Sequence, residues 1–309
     1  MNRILVIRGG AIGDFILTLP ALKALRDTRP QAHIEILGYK QIAVLAENRF
    51  YAQAVRSIEY GALARFFGPN RELPSELADY FASFDLIVSY LYDPDRIFET
   101  NLRRCGVENL IFGPARIVEN AGRAAQQLAR PIEKLGINVV DLAERIFPST
   151  EDREFAREFL ASMPQPIIAI HPGSGSNEKN WPLDNWISLF SQTNGFADLE
   201  RLLVISGEAD QAQTERLEHE WKNRGVRFAK NLPLPQVAAV LEHAAFIGHD
   251  SGISHLAAAA GAKCILLFGP TNPDVWAPKN ENAQILRAPN ARLNDLGIEQ
   301  VEAAFAAVL

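Results

Sequence analysis

The sequence predicts an α/β protein built as two halves, each a parallel sheet with crossover helices. Three observations carry that expectation. Strand-like and helix-like segments alternate from the first residues, and the same rhythm restarts after Pro164-Gln165-Pro166. A length of 309 residues also suits two domains of about 150 each.

In the first half, RILVIR (3–8) is a buried-strand run, FILTLPALKALRDT (15–28) has helical apolar spacing, and HIEILGY (33–39) is strand-like again. QIAVLAEN (41–48) reads as a helix and AVRSIEY (54–60) as a strand. Residues 68–75 form a polar, proline-containing connection, and FDLIVSYL (84–91) is the next strand. In the second half the strand-like runs are IIAIHPGSG (167–175), RLLVISGE (201–208), AAFIGHD (244–250) and CILLFGP (264–270). Helical spacing falls on NWISLFSQT (185–193), AQTERLEHEWKN (212–223), HLAAAAGA (255–262) and the tail IEQVEAAFAAVL (298–309). Two Rossmann-like domains, 1–155 and 156–309, are the economical reading, with the C-terminal helix free to pack back on the first.

Composition sets the class. Hydrophobic residues make up 48% and charged residues 22%, as in a soluble globular protein with a full core. Apolar runs such as Ile265–Phe268 end far short of the ~20 residues of a membrane span. Arg3 to Ile7 start a strand rather than a signal peptide, and Cys105 and Cys264 lack ligand-like spacing. A reducing cytoplasm is therefore the expected compartment. The first 150 residues hold 18 Lys and Arg against 17 Asp and Glu, and the remainder 13 against 20. An acidic chain without a basic, aromatic-laced stripe is a poor nucleic-acid binder. The 15 arginines of the first half suit an anionic partner, although solvated helix faces explain them as well.

Two glycine corners hold the candidate chemistry. After the first strand comes Gly9-Gly10-Ala11-Ile12-Gly13-Asp14. Its spacing is not that of a dinucleotide fingerprint, and Glu35 falls inside the second strand rather than at its end. Asp14 opens the next helix, where a carboxylate repels a pyrophosphate that the helix dipole would otherwise attract. The corner suits a general base, and a plain helix cap is the alternative use of Asp14. The second corner is GHDSGISHLAAAAGA (248–262). There Ser251, Gly252 and Ile253 can turn backbone N–H groups toward an anion, and Asp250 can accept bonds from ligand hydroxyls. His255 either lines the site or is an interior histidine, and Asp250 or Ser251 can be no more than the helix cap. A third segment, HPGSGSNEKNWP (171–182), follows a strand without being a P-loop. Gly173, Ser174, Gly175 and Ser176 make a loop with free N–H groups, and Lys179 offers a charge to a diphosphate.

Together these segments resemble the bacterial ADP-heptose:lipopolysaccharide heptosyltransferases, glycosyltransferase family nine. GAIGDFILTLPAL (10–22), HPGSGSNEKNWP (171–182) and GHDSGISHLAAAAGAKCILLFGPTNPDVWAP (248–278) stand in the family's order. The resemblance implies a GT-B fold, two facing Rossmann-like domains with an interdomain cleft. It also implies an inverting, metal-independent transfer of heptose from ADP-heptose to a lipopolysaccharide core or related acceptor, with no cofactor. By position, Asp14 matches the catalytic base, and Arg8 and Gly13 lie on the acceptor side. Lys179, Ser174, Asp250, Ser251, Gly252, Ile253 and His255 fall on the donor side. An acidic residue near the ribose is either Glu208 or Asp210. A lipid-linked acceptor allows peripheral contact with the cytoplasmic face of the inner membrane. Asp93-Pro94-Asp95 has the form of a cation-binding pair, but its proline and its place in the first half favour a turn. Other readings of the same residues are a transferase for another nucleotide sugar, an NAD(P)-dependent oxidoreductase, and a binding protein without turnover.

Overall fold

In a computed structural model of the chain, describing residues 2–69, 71–191 and 198–307, the backbone forms two compact units, Met1–Leu142 and Ala143–Leu309. The first holds five parallel strands: β1 (Arg3–Arg8), β2 (His33–Gly38), β3 (Ala54–Ser57), β4 (Leu86–Ser89) and β5 (Leu110–Phe112), in the order β3-β2-β1-β4-β5. The second holds six: β6 (Ile167–His171), β7 (Leu202–Ser206), β8 (Arg227–Lys230), β9 (Ala244–His249), β10 (Lys263–Phe268) and β11 (Ala283–Arg287). They are also parallel, in the order β11-β10-β9-β6-β7-β8.

Burial explains which runs became central strands. Ile4 to Ile7 of β1, and Ile167 to Ile170 of β6, are covered on both faces, as parallel sheets require. In the first unit Leu5, Ile7 and Ile87 of the sheet pack on Phe66, Phe81 and Phe98. In the second, Ile168, Ile170 and Val204 pack on Trp181, Trp186 and Trp221. Truncating an aromatic side chain so placed costs ~3–5 kcal/mol.

Three expectations change. The segment 15–28 is two helices, Ile12–Ile16 and Leu19–Thr28. Pro20 lacks the N–H that one continuous helix would need, and it sits instead in the first turn of the second. The boundary falls at 142/143 rather than 155/156. Ile146 donates its N–H to Ala259, and the helix Thr150–Leu160 packs on the helix Leu234–Leu241, with Arg153 bridging to Glu242 at 2.8 Å. The C-terminal helix Ile298–Ala306 buries Val301, Ala304 and Phe305 in the second unit's own tryptophan-rich core. Part of the segment 185–193 lies outside the described residues; the helix there runs Leu183–Leu189.

Candidate active site

Ligands of open parallel sheets bind beyond the strand C-termini, where the strand order reverses. In the first unit that point lies between β1 and β4. The chain leaves β1 through Gly9-Gly10, and Gly10 adopts a positive φ of 100°. A Cβ there would lie 2.8 Å from Asp14 Oδ2, so both conformation and space call for glycine. Asp14 is the third residue of its helix, and Oδ2 accepts the Ala11 N–H at 3.0 Å. The carboxylate therefore occupies the helix start itself while 37% of the side chain stays exposed.

Arg8 holds this corner from below. Its Nε donates to Thr18 Oγ1 at 3.0 Å and to the Asp14 carbonyl at 3.3 Å, and its Nη2 donates to that carbonyl at 2.9 Å. Nη2 also lies 3.5 Å from Asp14 Oδ1. Burial lowers the guanidinium pKa, and the Asp14 charge works against that shift. Arg8, expected on the acceptor side, is buried and packs against Asp14. Gly13 lies within the same short helix, next to Asp14. Asp93 accepts the N–H groups of Phe98 and Glu99 at 3.1 and 2.9 Å, so its oxygens cap the helix Ile97–Arg104.

In the second unit the order reverses between β6 and β9, and the loops leaving both carry the candidate residues. After β9, Ser251 caps the helix Gly252–Ala260 by accepting the Ser254 N–H. The N–H groups of Ser251, Gly252 and Ile253 have no partner among the described residues, and all three residues are only half-buried. A helix start of this kind is physically suited to an anion. After β6, the loop brings Lys179 Nζ to 2.8 Å from Asp250 Oδ2, 71 residues away in sequence. Ser174 closes a tight turn by donating to the Ser176 carbonyl at 2.8 Å.

Burial separates Glu208 from Asp210. Asp210 is 5% exposed, and its Oδ2 takes His171 Nε2 at 3.0 Å and the Gly207 N–H at 3.1 Å. Burial alone would raise its pKa, but these bonds and the nearby imidazoles hold it below the ordinary carboxylate value. Gly173 passes so close that a Cβ would meet Asp210 Oδ1 at 1.7 Å. Glu208 is exposed and lines a pocket of about 310 Å³ with Ser206, Gly207, Gln211, Lys230 and Asn231. His255 is 4% exposed, and its Nδ1 lies 3.0 Å from both oxygens of Glu144, so it joins the helix to the start of the unit.

Sequence reasoning missed two residues. His171 Nδ1 lies 3.4 Å from Ser251 Oγ, and His249 joins two parts of the Lys179 loop. Both end a buried apolar strand at the switch point, and a polar residue there was the available signal. Burial pushes the His249 pKa down to about 3, so its ring is neutral.

The description Glycosyltransferase family 9 (heptosyltransferase) matches residues 117–305, more than half of the chain. The chain belongs to this family. Lipopolysaccharide heptosyltransferase 1 of Escherichia coli K12 is 28% identical over 163 residues, which is 50% of this chain and 49% of that protein. The chain thus spans about half the length of that relative. Among solved structures, a family 9 glycosyl transferase from Veillonella parvula has a TM-score of 0.81 at 18% identity, covering 99% of this chain and 97% of that one. E. coli heptosyltransferase WaaC with ADP has a TM-score of 0.72 at 17% identity, covering 99% and 100%. These likenesses show that the chain has the GT-B fold.

Proposed function

We propose that this chain transfers heptose from ADP-heptose to a lipopolysaccharide core or related anionic glycolipid, with inversion and without a metal. The observation that carries the reading is the electrical contrast of the two corners. The first unit sets the Asp14 carboxylate at its helix start, whereas the second caps its helix with the neutral Ser251 hydroxyl and brings Lys179 beside it. A nucleoside diphosphate fits only the second arrangement. The ADP-bound E. coli neighbour supports adenine, with Glu208 meeting the ribose from its pocket.

Asp14, oriented by Arg8, takes the proton of an acceptor hydroxyl as that oxygen attacks the anomeric carbon. A single attack with one base inverts the centre. Charge developing on the departing ADP is met by the 251–253 N–H groups and by Lys179, the task a metal performs in other transferases. A lipid-linked acceptor places this reaction at the cytoplasmic face of the inner membrane, as a peripheral contact. Among the described residues no helix is long and apolar enough to cross a membrane.

A thermal-shift panel of ADP, UDP, GDP and their sugars tests the reading. ADP at one hundred times its dissociation constant adds ~2.7 kcal/mol of stability. A response to UDP or GDP but not to ADP would replace adenine by another nucleotide.

A further inference from the structure

One imidazole holds both ends of the loop that carries Lys179. His249, fully buried at the end of β9, receives the Trp181 backbone N–H on Nε2 at 2.8 Å. A backbone N–H only donates, so Nε2 carries the lone pair and the ring proton sits on Nδ1. Nδ1 faces the Gly173 carbonyl at 3.4 Å, so the same ring reaches the loop's other end. Packing fixes the ring. Trp186 stands edge-on to it with centroids 5.5 Å apart, Trp181 stands edge-on to Trp186, and Trp181 Nε1 donates to the Leu296 carbonyl at 2.9 Å. The charged and titratable groups around it are His171, Asp210 and Asp250. Between the two tethered ends lie Ser174 and Lys179, and Lys179 reaches Asp250, the residue following His249.

We propose that His249 is a positioning residue: it clips residues 173 and 181 together and so fixes Lys179 beside Asp250, where the leaving diphosphate is met. The clip touches no ligand and acts through the loop. It rests on the donor reading above, and its test keeps the two apart.

The measurement is ADP affinity by calorimetry in the full chain, for His249→Leu, Lys179→Ala and the double variant. His249→Leu weakens ADP about tenfold, the scale of one lost bond to a charged group. His249→Gln, which keeps a donor and an acceptor, lies nearer the wild type. In the double variant the loss equals that of Lys179→Ala alone within about twofold, because the clip has no cation left to place. A purely structural histidine lowers the melting temperature but leaves the two losses independent, so losses that multiply overturn the proposal. So does unchanged affinity in His249→Leu. If His249→Leu does not fold, long-range ¹H–¹⁵N NMR of the wild type decides: an Nδ1-protonated ring supports the clip and an Nε2-protonated ring overturns it. If the wild type binds no ADP, the donor reading fails by itself. Amide exchange at Trp181 then judges the clip, faster in His249→Leu if the clip is real and unchanged if it is not.

Discussion

Each unit ends its central strand on a small-residue corner that starts a helix, and the two corners have opposite electrical character. At Gly10–Asp14 the helix start carries a carboxylate, and Asp14 Oδ2 accepts the Ala11 N–H at 3.0 Å. At Ser251–Ile253 the cap is a neutral hydroxyl and the preceding carboxylate, Asp250, is turned to Lys179. One corner keeps a partly exposed negative charge in place, and the other is capped by a neutral side chain. Similar strand-to-helix corners therefore present a carboxylate in one unit and a neutral cap beside a lysine in the other, and side chains rather than fold set the difference.

The largest effect should come from removing the charge that defines the first corner. Asp14→Asn keeps the size and the cap but loses the proton affinity, and transfer should drop roughly 10²–10⁴-fold, the usual contribution of a positioned base. ADP binding should stay within twofold or so, as additivity between separate sites implies. Turnover as fast as wild type would take Asp14 out of the mechanism. Next in size is Gly173→Ala, because its Cβ would stand 1.7 Å from Asp210 Oδ1. The loop must shift, so ADP affinity should fall by tenfold or more while the first unit's ability to bind acceptor survives. A variant that binds ADP normally would show that the loop takes no part in the donor seat.

A smaller effect is expected in acid. The His249 pKa lies near 3 in the folded chain against an ordinary 6.5, so the unfolded chain takes up this proton first as pH falls. The contribution is complete above about pH 6.5 and drains away toward pH 3. Between pH 7 and 5, unfolding by urea should therefore show a steeper loss of stability in the wild type than in His249→Gln. Equal slopes would mean that His249 is not held neutral. The smallest effect belongs to Asp95→Ala together with saturating EDTA, neither of which should change the transfer rate. A rate that returned only with magnesium or manganese would give the leaving-group role to a metal instead of Lys179.

How much of this the sequence revealed follows from range. The central strands β1, β6, β9 and β10 announce themselves as unbroken apolar runs, because both faces are covered. Edge strands β5 and β11 went unread, since they are short and mostly half-buried. The corners were legible because Gly9–Asp14 and Asp250–Ile253 are contiguous. What bound them was not: His249 and Trp181 are 68 residues apart, His171 and Asp210 are 39, and Glu144 and His255 are 111. For the same reason the partners of His255 and Arg8, a buried Glu144 and a partly exposed Asp14, were not legible in the sequence. Glu208 and Asp210 share one short turn, and only burial separates them.

The central claim is that the nucleotide diphosphate belongs to the second corner alone. Amide hydrogen exchange of the wild-type chain with and without ADP tests it most directly. Protection should appear at residues 173–179 and 250–254 and near Glu208, with residues 9–14 unchanged. Protection centred on 9–14, with 250–254 exchanging as before, would contradict the assignment of the donor and the mechanism built on it.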